Sequence, residues 1–118
     1  MRSLDWMIRE VLLHGQTDWV PDSLVAWIAS SYCEGDPDDP AIRETSLRIL
    51  RRVLDEDLME IGQLGGWRGF TRWKVSTDEA IDRVDREWRE LGHPTIGNIF
   101  WLDITDKGLR LAAESEDS

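Results

Sequence analysis

Closely spaced carboxylates are the feature of this sequence that could most directly bind a ligand. Asp36, Asp38 and Asp39 lie in a loop that also contains two prolines, and carboxylates at such spacing suit a calcium ion or a cationic partner. An EF-hand loop that began at Asp36 would place Leu47 where a bidentate glutamate is required. The spacing therefore favours a solvated acidic turn, and we expect these aspartates to contribute to a surface that binds a cationic protein.

Histidine and cysteine show no pattern typical of catalysis or metal binding. His14 and His93 are the only two histidines, they sit beside Gly15 and Pro94 where helices are expected to end, and Cys33 is the only cysteine. The sequence has no Gly-x-Ser-x-Gly elbow and no glycine-rich phosphate loop. We therefore expect a protein that is not an enzyme and uses no metal or cofactor. The single cysteine agrees with a reducing compartment, the cytoplasm.

Tryptophan and arginine provide the remaining candidate binding residues. Trp67 and Trp73 are flanked by glycine and arginine, so we expect them to stay exposed and to anchor a protein interface. Trp27, Trp88 and Trp101 instead fit the apolar stripes of predicted elements. An alternative interface, for nucleic acid, would use the following cations: Arg43, Arg48, Arg51, Arg52 and Arg72.

The arginines of the third predicted helix also have a purely structural interpretation. Arg51 and Arg52 can form ion pairs with Asp55 and Glu56, which follow one turn later on the same helix. Such pairs are typical of a solvated surface helix. They would leave fewer cations to contact phosphate groups.

The charge balance bears on the kind of partner. Asp and Glu number 24 against 14 Lys and Arg, which gives a formal net charge of −10. Nucleic acid is held mainly by cationic contacts, so an acidic protein is repelled unless its cations are gathered on one face. Strong negative charge also serves solubility alone. The balance favours a cationic protein partner over DNA.

Apolar spacing predicts three helices in the first half of the chain. The first covers about residues 4–14, with Ser3 as its cap, and Pro21 opens the second. The loop of residues 33–40 separates the second helix from a third over residues 41–57. The next segment, Met59 to Leu64, is predicted to be a strand.

A long insert, approximately residues 65–98, separates that strand from another apolar strand at residues 99–104. Within the insert, residues 70–75 alternate like a strand, and Ser76 with Glu79 forms a capping box at the start of a helix. Helical spacing then places four apolar side chains on one face: Ile81, Val84, Trp88 and Leu91.

The end of the chain combines the strand at residues 99–104 with the turn Thr105-Asp106-Lys107-Gly108 and a final helix. This order resembles the ending of winged-helix proteins of the MarR and PadR type, in which a strand leads through a Leu-Thr-x-x-Gly motif into a helix. The resemblance implies a dimeric transcription regulator with a basic recognition helix and a basic wing. In this chain the wing is enlarged and the net charge is inverted.

These features predict one α+β domain over residues 1–118 that is winged-helix-like. It would contain three N-terminal helices, a small antiparallel sheet, an inserted amphipathic helix and a C-terminal helix. Residues 58–64 and 99–104 should pair antiparallel, and no apolar run is long enough to cross a membrane.

Size and charge also resemble those of small acidic bacterial proteins, a comparison that suggests immunity partners of secreted toxins. The leading hypothesis is a non-enzymatic, acidic, immunity-like module that covers a cationic protein partner. The alternative is a winged-helix transcriptional regulator that binds DNA through the helix over residues 41–57. Either could be a monomer or a homodimer.

Overall fold

Five helices and one four-stranded sheet make up the part of the chain that the structure describes. The structure is a computed structural model, and it describes residues 3–31, 39–65, 67 and 69–116. The predicted α+β class is confirmed. In chain order the elements are α1 (Leu4–Gly15), β1 (Val20–Pro21), α2 (Asp22–Ser30), α3 (Pro40–Asp55), β2 (Met59–Leu64), β3 (Phe70–Arg72), α4 (Thr77–Leu91), β4 (Trp101–Ile104) and α5 (Asp106–Glu116).

Local capping signals fix the start of three helices. The Ser3 side chain accepts a hydrogen bond from the Trp6 backbone N–H, and the Ser76 side chain accepts one from Glu79 N–H. At α3 the cap is Asp39, whose carboxylate lies 2.9 Å from the Ala41 nitrogen. Each bond satisfies a backbone donor that the first helical turn leaves without a partner.

The third helix is displaced slightly from its predicted range of residues 41–57. It begins at Pro40, because the fixed φ of proline suits the first helical position, and it ends at Asp55. Asp57 then adopts a left-handed conformation with φ of 57°, which aspartate tolerates better than most residues. The chain reverses there and enters β2.

The strands form one antiparallel sheet in the order β1-β4-β2-β3. The predicted pairing of residues 58–64 with residues 99–104 is confirmed, since Met59 lies opposite Ile104. The strands predicted at residues 70–75 and 99–104 are shorter in the structure, covering β3 and β4 as given above. β1 was not predicted, because two residues are too few to show the alternation of a strand. It is a strand in the structure because it pairs with β4.

The Thr-x-x-Gly turn between β4 and α5 joins two distant parts of the chain. The Thr105 hydroxyl donates to the Asp57 carbonyl at 2.7 Å and accepts from Gly108 N–H at 3.0 Å. A Cβ at position 108 would lie 2.2 Å from the Leu58 carbonyl oxygen. Glycine is therefore required because the first turn of α5 approaches the start of β2 too closely for any side chain.

The insert between β2 and β4 contributes to the main core. α4 packs against α3 and buries Ala80, Ile81, Val84 and Trp88. Trp88 is 5% exposed, as its position in the predicted apolar stripe indicates. Leu91, the last member of that stripe, is 47% exposed because it lies at the end of the helix.

Trp27 corrects one sequence expectation about the core. It was expected to fit an apolar stripe but is 67% exposed. Val25, Ile28 and Ala29 form the buried side of α2. Trp27 is two positions after Val25, about 200° around the helix, so its side chain points to the opposite side.

No helix among the described residues is both long enough and apolar enough to span a bilayer.

Candidate protein-binding surface

The arginines of α3 are largely engaged by acidic side chains of the same molecule. Arg43 Nε lies 3.1 Å from Asp85 Oδ1, and Arg51 Nη1 lies 2.7 Å from Asp78 Oδ1. Both aspartates belong to α4, the inserted helix. The sequence had suggested Asp55 as the partner of Arg51; α4 supplies Asp78 instead.

Arg52 forms the pair expected along its own helix. Its Nε lies 2.5 Å from Glu56 Oε2, and its Nη2 lies 3.5 Å from Asp5 of α1. The hydrogen bond to Glu56 raises the pKa of Arg52, and the bond to Asp78 raises that of Arg51. Three of the four arginines that were candidates on α3 therefore have a carboxylate of the same molecule within ion-pair distance, although Asp85 also pairs with Arg89.

Arg48 and Arg72 are the two candidate cations that remain. Both are exposed, and neither forms an ion pair with any residue the structure describes. Arg48 lies on α3 and Arg72 on β3, so they do not share an element. The five candidate arginines are thus divided between intramolecular ion pairs and two separate elements.

Trp73 is buried, contrary to the expectation that it would be an exposed anchor. It is 9% exposed, and the guanidinium carbon of Arg83 lies 3.8 Å from the centroid of its ring. Its backbone N–H donates to the Ile61 carbonyl at 2.9 Å, which continues the pairing of β3 with β2 by one residue. Because residues directly opposite each other share a face of the sheet, Trp73 lies on the same buried face as Ile61.

Trp67 is exposed, as expected from its neighbours in the sequence. It is 91% exposed and lies in the turn that connects β2 with β3. Gly65 N–H donates to the Gly69 carbonyl at 3.0 Å and so closes this turn. The hairpin therefore presents a large aromatic side chain at its tip.

The acidic loop is only partly described. Asp36 and Asp38 lie outside the described residues. Asp39 is exposed, and its carboxylate caps α3 through the Ala41 N–H. Asp39 thus has a structural role that does not require a partner protein.

Two carboxylates lie opposite each other on the outward face of the sheet. Glu60 of β2 is paired in register with Asp103 of β4, and both side chains are half-buried. Thr105 N–H donates to the Leu58 carbonyl, so Leu58 and Thr105 form a hydrogen-bonded pair of the two strands. Because hydrogen-bonded and non-hydrogen-bonded pairs alternate, Glu60 and Asp103 also form a hydrogen-bonded pair, with Cα atoms about 5.5 Å apart. Neither carboxylate forms an ion pair or hydrogen bond with any described residue.

Further acids border this pair. Asp57 and Asp106 line a hollow of about 450 Å³ together with Glu60, and both are exposed. Two cations, Lys107 and Arg110, also line the hollow. The Lys107 ammonium donates to the Glu56 carbonyl at 2.8 Å, at the C-terminal end of α3. We refer to Asp57, Glu60, Asp103 and Asp106 as the acidic face.

The sequence analysis did not single out any residue of the acidic face as a site. Glu60 and Asp103 are separated by more than forty residues, and only the register between β2 and β4 brings them together. Nothing local indicated that they are opposite each other.

Asp22 is a second residue whose importance appears only in the structure. Its carboxylate is fully buried and accepts hydrogen bonds from Ser23 N–H at 3.0 Å, Thr95 N–H at 3.0 Å and Gly97 N–H at 2.7 Å. The Thr95 hydroxyl also donates to it. Asp22 therefore fixes the loop that leads into β4. Since all of its bonds are to this chain, its role is structural.

Among the described residues, no three or more His, Cys, Asp or Glu side chains are grouped so that they could hold a metal ion. Comparisons of the chain with protein-family models, curated proteins and solved structures find no significant match.

Proposed function

We propose that this protein is a non-enzymatic, acidic, immunity-like module that covers a cationic protein partner, and that the acidic face is where the partner binds. The observation that carries the proposal is the cross-strand pair of Glu60 and Asp103. Like charges directly opposite each other destabilise a sheet. A local conflict of this kind is expected at functional sites, and a lysine or arginine of a partner would relieve it by lying between the two carboxylates.

The surroundings of the pair support the same interpretation. Asp57 and Asp106 add two negative charges at the adjoining hollow, and Lys107 and Arg110 add two positive charges there. With Glu60 included, the hollow keeps an excess of negative charge. The whole chain carries a formal charge of −10, which attracts a cationic partner over a distance of about a Debye length.

The alternative, a regulator that binds DNA through α3, has less support. A helix that binds in a DNA groove needs cationic side chains directed outward, toward the phosphates and base edges. Arg43 and Arg51 are instead directed toward Asp85 and Asp78 of α4. Breaking these ion pairs would add to the cost of binding phosphate. The acidic residues of α4 would also lie beside the DNA.

For the fold, we propose a winged-helix-like arrangement in which the wing is enlarged. The support is the order of three helices followed by β2, and the strand–Thr-x-x-Gly–helix ending. In this arrangement β3 and α4 replace a short hairpin between β2 and β4. In this arrangement α4 packs against α3.

The proposal can be tested with a peptide of eight lysines as the cationic probe. We expect the double variant Glu60→Gln with Asp103→Asn to weaken binding by about three- to tenfold, since two partly screened ion pairs are lost. Isothermal titration calorimetry at physiological salt provides the measurement. The control is Glu44→Gln with Glu90→Gln, which removes the same charge from exposed positions on α3 and α4.

Equal weakening by the two double variants would mean that only net charge matters, and it would overturn the proposed site. A second readout is independent of the probe. Without peptide, the Glu60→Gln and Asp103→Asn protein should be more stable to urea by about 0.5 kcal/mol, because the repulsion between opposite carboxylates is removed.

A further inference from the structure

One edge of the sheet is open. β3 is the outermost strand, and among the described elements it packs extensively only against β2. Two hydrogen bonds show which backbone groups of the hairpin point toward the partner strand. Trp73 N–H donates to the Ile61 carbonyl, and Gly65 N–H donates to the Gly69 carbonyl. Because the direction alternates along a strand, the backbone groups of Phe70 and Arg72 point away from β2.

These outward groups have no hydrogen-bond partner among the described residues. They comprise two N–H donors and two carbonyl acceptors, at the spacing with which a neighbouring strand would pair. An edge of this kind is a template for an added strand. Thr71 and Arg72 are exposed, so their side chains do not obstruct the approach.

The side chains along this edge are cationic. Arg72 and Lys74 are exposed, and neither forms an ion pair with any described residue, although the chain carries 24 acidic side chains. Their charge is opposite to that of the acidic face. Two copies of the chain pairing through β3 would bring these cations toward each other, which disfavours self-association through this edge.

We propose that the open edge of β3 binds an extended acidic segment of a partner protein, which adds to the sheet as a fifth strand. The backbone of Phe70 and Arg72 supplies the hydrogen bonds. Arg72 and Lys74 select a segment with Glu or Asp side chains. The exposed ring of Trp67 lies at the hairpin tip, where it can pack on the end of the segment. This edge adjoins the acidic face, because Arg72 is opposite Gly62 in the register and lines a hollow with Asp57 and Glu60. Strand addition at the open edge nevertheless does not depend on the function proposed for the acidic face.

The test uses a capped heptapeptide in which glutamate alternates with valine. We expect it to bind the full chain with one-to-one stoichiometry in isothermal titration calorimetry. A matched peptide, N-methylated at alternate residues on the bonded edge, keeps every charge but loses the donors for β3. Binding of the methylated peptide should be undetectable, and equal binding of both peptides would overturn strand addition.

Two double variants test the role of charge. Arg72→Gln with Lys74→Gln should weaken binding of the unmethylated peptide about three- to tenfold. The control, Arg48→Gln with Arg86→Gln, removes the same charge from exposed positions that form no ion pair with described residues, and it should leave affinity within about twofold. Equal losses for both variants would contradict a site at β3.

Phe70→Pro tests the backbone of the protein. Proline removes an N–H that points away from β2, so it should abolish peptide binding while leaving the ladder to β2 in place. Circular dichroism and thermal melting check the fold; if the variant does not fold, the comparison of the two peptides decides. The unmodified protein, with Arg72 and Lys74 intact, should also be tested with a single-stranded oligonucleotide. If the oligonucleotide bound and the acidic peptide did not, the edge would be assigned to nucleic acid and the proposal would be overturned.

Discussion

At the scale of single residues, the buried carboxylate of Asp22 and the half-buried carboxylates of Glu60 and Asp103 differ in their hydrogen-bond partners. Asp22 is fully buried, and its negative charge is compensated by four donors from two segments. Glu60 and Asp103 are half-buried and have no such donors among the described residues. The first arrangement stabilises the fold, whereas the second leaves charge available to a partner.

Removing the buried carboxylate should be costly. We expect Asp22→Ala to lower the free energy of unfolding by about 3 kcal/mol, because the donors of Thr95 and Gly97 lose a charged acceptor and remain buried. Urea denaturation followed by circular dichroism measures the change.

The matched control for this variant is Asp82→Ala. Asp82 is exposed on α4, and its replacement should change stability by less than about 0.5 kcal/mol. A similarly small effect at Asp22 would mean that the loop before β4 does not need this carboxylate.

At the scale of elements, the insertion of α4 changes what α3 can do. The two helices pack through the apolar side of α4, and the rim of the contact carries the ion pairs of Arg43 and Arg51. Burial provides most of the stability, since exposed ion pairs contribute little. The ion pairs bear on the proposed function, because they place Arg43 and Arg51 of α3 beside carboxylates of α4.

The packing of α4 can be tested with two tryptophans. Trp88→Ala should destabilise the protein by about 3–5 kcal/mol, because it removes a large buried side chain and leaves a cavity. Trp27→Ala, at a site that is 67% exposed, should cost less than about 1 kcal/mol. Chemical denaturation of both variants gives the comparison.

Equal and small effects would show that the side of α4 around Trp88 is not part of the core. That result would make the same side available to a partner.

At the scale of the whole molecule, the charge distribution separates the two functions. The intact protein should bind a DNA duplex more weakly than about 10⁻⁴ M at physiological salt, because its net charge opposes phosphate and most of the α3 arginines are paired. Fluorescence anisotropy with a labelled duplex is the measurement.

Arg48→Ala with Arg51→Ala provides the informative contrast. If the intact protein bound the duplex with micromolar affinity and the double variant did not, the DNA-binding regulator would be favoured instead. Weaker variants should then also lower the slope of log affinity against log salt concentration by up to about two.

Local structure in this protein follows from short stretches of amino-acid sequence. Capping by Ser3 and Ser76 and the strand at β2 depend on residues close to each other in the sequence, and all three were predicted close to their observed positions. The antiparallel pairing of β2 with β4 was also predicted, from the resemblance of the element order to that of winged-helix proteins. Exposure of Trp67 followed from its glycine-rich surroundings.

Contacts between residues that are far apart in the sequence depend on how the helices and strands pack together. Trp73 was expected to be exposed and is buried, whereas Trp27 was expected to be buried and is exposed. Exposure depends on which side of an element faces the core. Arg51 found Asp78 across an interface between helices. Glu60 met Asp103 through strand register, and Asp22 met Thr95 at a separation of 73 residues. Such contacts are set by packing between elements, and no periodicity along the chain encodes them.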